Sequence, residues 1–409
     1  MTGKITKKNA MLRYCLIQLL LWSQFCCCTS FATVYMNGKG VSNALVGVAF
    51  AIGNLLAFII QPMLSSIADR GKKVTVTQMA IMMYIAMFVL EGITMINGIP
   101  IIAVTLVYSL IFMIIQNTPV VVNGLGIYYM DRGASINYGV SRGLGSVFFS
   151  LLSLLLGRLI TVTSYRTVAY AQIILAVATM LALTLMPTPR DVLSDNISPE
   201  DNANNSDTSY ISFIKRNPSF MLYFLGMGLI MILYNFYNNF TINVVKNVGA
   251  GSEEMGVLLA IAAIAEVPAM FAFDYLSKKF PIKNLLILSS IGFIVRGSLM
   301  TFAVGVTGLY MSSAVQFMGF ALFMPGMVKL SDKYFGEGDK NKAQGLLQST
   351  MSFGAIIGSI VGGSMIDVIG VKSVMGVMLL VSVIGTIMAV FALEKFCGKK
   401  VETENKIEV

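Results

Sequence analysis

The chain has 409 residues, of which 56% are hydrophobic and only 12% charged, and it carries a formal net charge of +9 with no histidine; its mean hydropathy is +0.77. A soluble domain has no use for that much apolar surface, so the composition excludes the soluble classes and points to an all-α membrane protein. The missing histidine, together with the lack of a cysteine–histidine cluster, a Walker-type phosphate loop or an acid cluster, removes the usual parts of metal, hydrolytic and ATP-driven chemistry. No cofactor or metal is expected, and a membrane-embedded enzyme is the remote alternative.

About 20 apolar residues cross a hydrocarbon core, and twelve stretches qualify. The first six are 11–35, 43–66, 74–95, 100–127, 138–163 and 166–187. Segment 11–35 has the positive start of a signal peptide, but its apolar run is too long and no A-x-A site closes it; it reads as a permanent helix. Cys26, Cys27 and Cys28 inside it are expected to be small packing residues rather than disulfide partners. Between 188 and 217 the chain is rich in Asp, Asn, Ser and Pro and poor in apolar residues, which predicts a linker unable to fold alone. Six more segments follow at 219–246, 254–276, 283–304, 307–329, 342–368 and 371–394, then a tail. The expected organisation is a six-helix bundle over 1–187, the linker over 188–217, a second bundle over 218–395 and a tail over 396–409. QPMLSSIADRGKK at 61–73 and VPAMFAFDYLSKK at 267–279 echo each other about half a chain apart, so the two bundles read as pseudo-symmetric parallel repeats with a site between them.

The basic residues sit at segment ends. Lys4, Lys7, Lys8, Arg13, Arg70, Lys72, Lys73, Lys278, Lys279, Lys283, Lys333, Lys340 and Lys342 fall on one side, and Lys39, Arg166, Lys246 and Lys372 on the other. The positive-inside rule then places both termini in the cytoplasm of a cell-membrane protein and leaves no need for a nucleic-acid partner.

Inside the segments a few polar residues stand out in chain order. Gln116 and Asn123 share a face of the fourth; Arg142 lies in the fifth; Asn235, Asn239 and Asn243 recur every fourth residue in the seventh; Glu266 sits near the middle of the eighth and Arg296 in the ninth; Gln344, Gln348 and Ser352 share a face of the eleventh. An acid at the bilayer centre costs about 2.5–3.5 kcal/mol on insertion scales and usually faces a bundle interior or watery cavity. Amides offer donor and acceptor together and suit polyhydroxylated or heterocyclic solutes. The same amides can equally glue helices to one another.

Twelve helices, the repeat and the loop after the second helix resemble the major facilitator superfamily. Of its loop signature, Asp69, Arg70, Gly71, Lys72 and Lys73 are present, with Ser65 for the leading glycine. IIQPMLSSIADR, NYGVSRGLGSVFF, AEVPAMF and IGFIVRGS are similar to the lactose permease-like branch of oligosaccharide and nucleoside proton symporters. That resemblance implies that Arg142 and Phe149, seven residues apart, contact the solute, although Phe149 can also simply pack. It further implies that Asp69, Arg70 and Asp274 form a gating latch, or else serve as membrane-edge anchors. The chain departs from the branch where Asn123, Asn235 and Asn238 stand for acids and where Gln316 and Gly319 replace a histidine and a glutamate. Glu266 is therefore the expected proton carrier, with Arg296 its expected ion-pair partner. Gln116, Asn123, Arg142, Phe149, Asn235, Asn238, Arg296, Gln316 and Gln348 form the expected solute site. The function implied is secondary active, proton-coupled uptake of a small polar solute such as a sugar or nucleoside by a monomer in the lipid bilayer. Drug or metabolite efflux by proton antiport is the alternative, disfavoured by the absence of a proline in GLGSVFFSLLSLLLG.

Overall fold

The computed structural model describes residues 7–70, 75–131, 134, 136–186 and 210–407, without side-chain detail at 7–9, 65–70, 131, 337 and 399–407. Most of the predicted linker thus lies outside the described residues. The described chain is helical, without strands. Its elements are α1 (Lys7–Phe25), a π-turn (Cys26–Ser30), α2 (Ala32–Gly38), α3 (Asn43–Arg70), α4 (Val76–Met95), α5 (Ile101–Asp131), α6 (Tyr138–Val162), α7 (Thr167–Thr184), α8 (Tyr210–Arg216), α9 (Pro218–Asn239), α10 (Thr241–Asn247), α11 (Ser252–Lys279), α12 (Ile282–Thr301), α13 (Val306–Ala314), α14 (Gln316–Tyr334), α15 (Glu337–Ile369) and α16 (Val371–Ile407). They make 12 spans long and apolar enough to cross a membrane, as the segmentation predicts.

Local chemistry sets several boundaries. Thr75 and Gln78 cap α4 reciprocally, side chain to backbone, at 3.2 and 3.0 Å. Asn137 caps α6 by accepting from the Val140 N–H at 3.0 Å. Gly370, at φ 79°, turns the chain between α15 and α16 in a conformation that glycine adopts without cost.

Three segments read as continuous helices are interrupted. The first breaks at the π-turn and Phe31, the seventh at Phe240, the tenth at Val315. None of these sites has a proline, so the usual signal is missing. At the first two, hydroxyls compete for backbone carbonyls: Thr29 donates to the Phe25 carbonyl at 2.7 Å and Thr241 to the Tyr237 carbonyl at 2.5 Å. The two breaks meet where the Thr33 hydroxyl donates to the Asn239 carbonyl.

Two further differences concern the polar segments. Within the expected linker, Tyr210–Arg216 forms α8 and docks on the second bundle: Phe213 is fully buried against Phe220 and Phe335, and Arg216 pairs with Asp339 at 3.0 Å. The expected tail continues α16 as helix to Ile407, because GKKVETENKI contains no proline to stop it. Truncating a buried aromatic costs about 3–5 kcal/mol, so Phe213→Ala should lower the melting temperature measurably; an unchanged melt would mean that α8 contributes nothing to the fold.

An even number of crossings puts residues 7 and 407 on one side, called here the terminal side. The helices before and after the linker meet mainly along α3–α15 and α6–α11, and they close at the opposite, far side. A Cβ on Gly47 would collide with the Ser359 carbonyl, and one on Gly363 with the Asn43 carbonyl. Gly157 and Gly256 pack equally closely in the other pair, as small residues do where membrane helices touch. Asn43 and the Ala44 N–H donate to Asp367 at 2.6 and 3.2 Å, Asn243 donates to Asn43 at 2.9 Å, and Ser153 to the Gly256 carbonyl at 3.0 Å.

Candidate solute-binding site

Between the two sets of helices lies a cavity of about 390 Å³. Its floor, toward the closed far side, includes Thr29, Ser30, Asn239 and Thr241; it runs toward the terminal side past Arg142 and Gln348.

On the first-bundle wall, the Arg142 guanidinium lies 3.7 Å over the Trp22 ring and donates to Ser146 at 2.8 Å. Gly145 makes room for the indole, since a Cβ there would overlap Trp22. Trp22 donates to Gln18 at 3.1 Å, and Gln18 donates to Asn123 at 3.1 Å and to the Tyr14 hydroxyl at 2.8 Å. Asn123, expected in the solute site, is accordingly not among the lining residues; its amide oxygen is occupied by Gln18, behind the tryptophan. Gln116 lines the cavity and donates to Asn54 at 3.2 Å, and Phe149 lines it as well.

The second-bundle wall gathers side chains from five helices. Glu266 of α11 accepts from Gln316 of α14 at 2.6 Å. Gln316 also reaches the hydroxyl of Tyr234 of α9 at 3.4 Å. Tyr234 stacks on Phe320, with centroids 5.4 Å apart and planes 4° from parallel, and the Arg296 guanidinium sits 5.5 Å from the tyrosine ring centroid. The expected ion pair between Glu266 and Arg296 is not formed. Gln316 stands at the broken start of α14 and takes the carboxylate, while Arg296, 5% exposed, keeps Nε and Nη1 without hydrogen-bond partners. Asn235, Asn238 and Gln348 complete the lining.

Other sequence expectations fall elsewhere. Asn243 ties the far side shut rather than lining the cavity. Asp274 pairs with Lys329 at 2.9 Å, a bridge between neighbouring helices of one bundle, its side chain 82% exposed. Asp69 and Arg70 end α3, and their side chains lie outside the described residues. Sequence reasoning passed over Trp22, although it is the sole tryptophan, and Tyr234, although it adjoins Asn235. It also took Glu266 as the one intramembrane acid. Glu91 of α4 is a second, fully buried, which sequence reasoning did not single out.

The cavity therefore offers two guanidiniums, one carboxylate, neutral amides and several aromatic rings, Trp22, Phe149 and Tyr234 among them. A ring bearing hydroxyl or ring-nitrogen groups can stack on the aromatics while amides and guanidinium exchange hydrogen bonds with its edge. Arg142→Lys keeps the charge but loses the planar contact with Trp22 and the forked donors. It should raise the half-saturating solute concentration about tenfold, corresponding to a loss of about 1.4 kcal/mol; an unchanged value in a transport titration would remove Arg142 from the site.

The backbone closely follows the solved nucleoside transporter NupG, with a TM-score of 0.78 at 18% identity over 95% of this chain and 99% of that one. A point mutant of NupG superposes with a TM-score of 0.80 at 17% identity, covering 94% of this chain and 100% of that one. A bacterial homolog of the human lysosomal transporter Spinster, solved inward-facing and unoccupied, gives 0.65 at 14% identity, covering 97% and 98%. No curated protein matches the chain by sequence. The model of the MFS_1 like family matches residues 11–377, nearly the whole described chain, and this multi-pass membrane protein belongs to that family of transporters rather than to any class of enzyme.

Proposed function

We propose that the protein is a proton-coupled secondary transporter of the cell membrane that takes up a small polar organic solute, nucleoside or sugar, by alternating access. The observation that carries this reading is the cavity itself. Among the described residues it lies between two bundles packed tightly on the far side, and a single carboxylate, Glu266, faces the solute-sized space beside Arg296 and Gln316. With both termini in the cytoplasm, the far side is extracellular and the conformation is inward-facing. The two bundles, 1–187 and 218–395, would rock about the cavity as a monomer, with Asp69, Arg70 and Asp274 acting at the cytoplasmic edge when that edge closes.

Gln116, Arg142, Phe149, Asn235, Asn238, Arg296, Gln316 and Gln348 would bind the solute, the arginines and amides addressing its polar edge and the aromatics its face. Glu266 would carry the proton, because a neutral carboxyl crosses the low-dielectric stage of the cycle far more easily than a carboxylate. Because a solved fold neighbour is a nucleoside transporter, we would try nucleosides first. Purified protein in liposomes should accumulate a radiolabelled nucleoside when the interior is alkaline and stop when a protonophore collapses the gradient. If neither nucleosides nor sugars accumulate, and loaded vesicles instead expel them under the same interior-alkaline gradient, the uptake reading gives way to antiport.

A further inference from the structure

A second polar site lies outside the central cavity. Glu91 of α4 is fully buried and faces the π-turn that interrupts the first span. Its Oε1 accepts from Gln24 at 2.7 Å and from the Cys28 thiol at 3.5 Å, while Oε2 has no partner. The titratable groups around it are Cys27 and Cys28 of the π-turn, Tyr84 of its own helix and Tyr108 of α5; Tyr35 of α2 bonds Thr94 one turn further on. From α7 comes the uncharged Gln172, which donates to Tyr108 at 2.8 Å and to the Cys27 carbonyl at 3.3 Å. Among the described residues no lysine or arginine forms an ion pair with Glu91.

Neutral hydrogen bonds recover only a small part of what a buried carboxylate loses on leaving water. Ionised, Glu91 would stand uncompensated. The pocket is also short of donors: Glu91 Oε2, Gln24 Oε1 and Gln172 Oε1 are buried acceptors without partners, against one unpartnered hydroxyl, that of Tyr84. One added proton supplies a donor where it is missing. A sodium ion fits less well, because the groups held to Oε1, an amide N–H and a thiol, are donors that would face the cation.

The pocket and the solute cavity share one wall. Gln24 and Cys28 hold Glu91, while Phe25, Thr29 and Ser30, interleaved with them, line the cavity. A π-turn carries a backbone irregularity that can shift by one residue, and such turns recur at functional sites. We propose that Glu91 is a proton-binding site separate from the solute cavity, taking one proton from water to form a neutral carboxyl and linked to the cavity wall through the π-turn. It extends the proton-coupled reading above, but the site itself can be examined without any solute.

Trp22 is the sole tryptophan and stands in the cavity wall one turn before the π-turn, so its emission reports on that wall. In the full chain reconstituted in lipid and carrying Glu266→Gln, so that the cavity carboxyl cannot contribute, alkaline titration should change Trp22 emission, and adding Glu91→Gln should abolish the change. Infrared spectra at neutral pH should contain a buried carboxylic C=O band that is lost in Glu91→Gln, kept in Glu266→Gln, and indifferent to exchange of sodium for choline. Should Glu91→Gln fail to fold, Glu91→Asp must shift the midpoint of the emission titration. An emission titration persisting when Glu91→Gln and Glu266→Gln are combined, an unshifted midpoint in Glu91→Asp, or a signal that requires sodium would each overturn the assignment. Failure of gradient-driven uptake alone would count against the transport reading and leave this one standing.

Discussion

Glu266→Gln is expected to abolish accumulation of solute against a gradient while leaving exchange of solute across the membrane within a few-fold of wild type. Glutamine keeps the shape of a protonated glutamate and can still meet Gln316, which holds Glu266 at 2.6 Å. It cannot release a proton. A carrier that no longer exchanges a proton loses its link to the pH gradient but still alternates when loaded, and so it equilibrates solute instead of concentrating it. The neutral side chain also avoids the cost of about 2.5–3.5 kcal/mol that an ion bears at the centre of a membrane, so expression and folding should not suffer. Uptake and counterflow in liposomes separate the two activities. Accumulation by the variant under an imposed pH gradient would rule out Glu266 as the required carrier.

Gly47→Leu should arrest the cycle by a different route. In the observed conformation a Cβ at position 47 overlaps the Ser359 carbonyl, and the Gly363 backbone lies next to it. Both obstacles are main chain in long helices, so no flexible side chain can yield. Overpacking of this kind costs about 1–3 kcal/mol, and each 1.4 kcal/mol is about a factor of ten in a population. The state closed at the far side should therefore be depleted about 5- to 150-fold relative to its alternative, with turnover falling by a similar factor. A cysteine introduced at Ala262, in the cavity lining, should become reactive to a membrane-impermeant thiol reagent added at the far side. Unchanged labelling together with unchanged turnover would show that the α3–α15 contact does not govern closure.

The candidate site was unevenly legible. Glu266, Arg142 and Arg296 were visible because an ion in an apolar segment stands out whatever the fold, and all three border one cavity. The amides were harder to place. Asn123 and Gln116 share a helical face, yet one is taken by Gln18 and the other lines the cavity. Period along a helix selects a face, and it does not say whether a neighbouring helix or a space lies opposite. Trp22 and Tyr234 gave no polar signal of their own, and their part comes from the guanidiniums set over their rings.

From the sequence alone came the properties that follow from the hydrocarbon core acting on each segment separately: an all-helical membrane chain of twelve spans, a polar break near its middle, and a few intramembrane charges too costly to face lipid. Those are local properties, decided by length, hydropathy and the transfer cost of each side chain. The breaks in three spans, the pairing of Glu266 with Gln316 in place of Arg296, the burial of Glu91 and the closure at Gly47 and Gly363 were decided only by the tertiary structure. Each depends on which carbonyl, amide or backbone from a distant part of the chain comes within contact distance, and hydrogen bonds and close packing act over a few ångströms while carrying no trace in the spacing of residues along one helix.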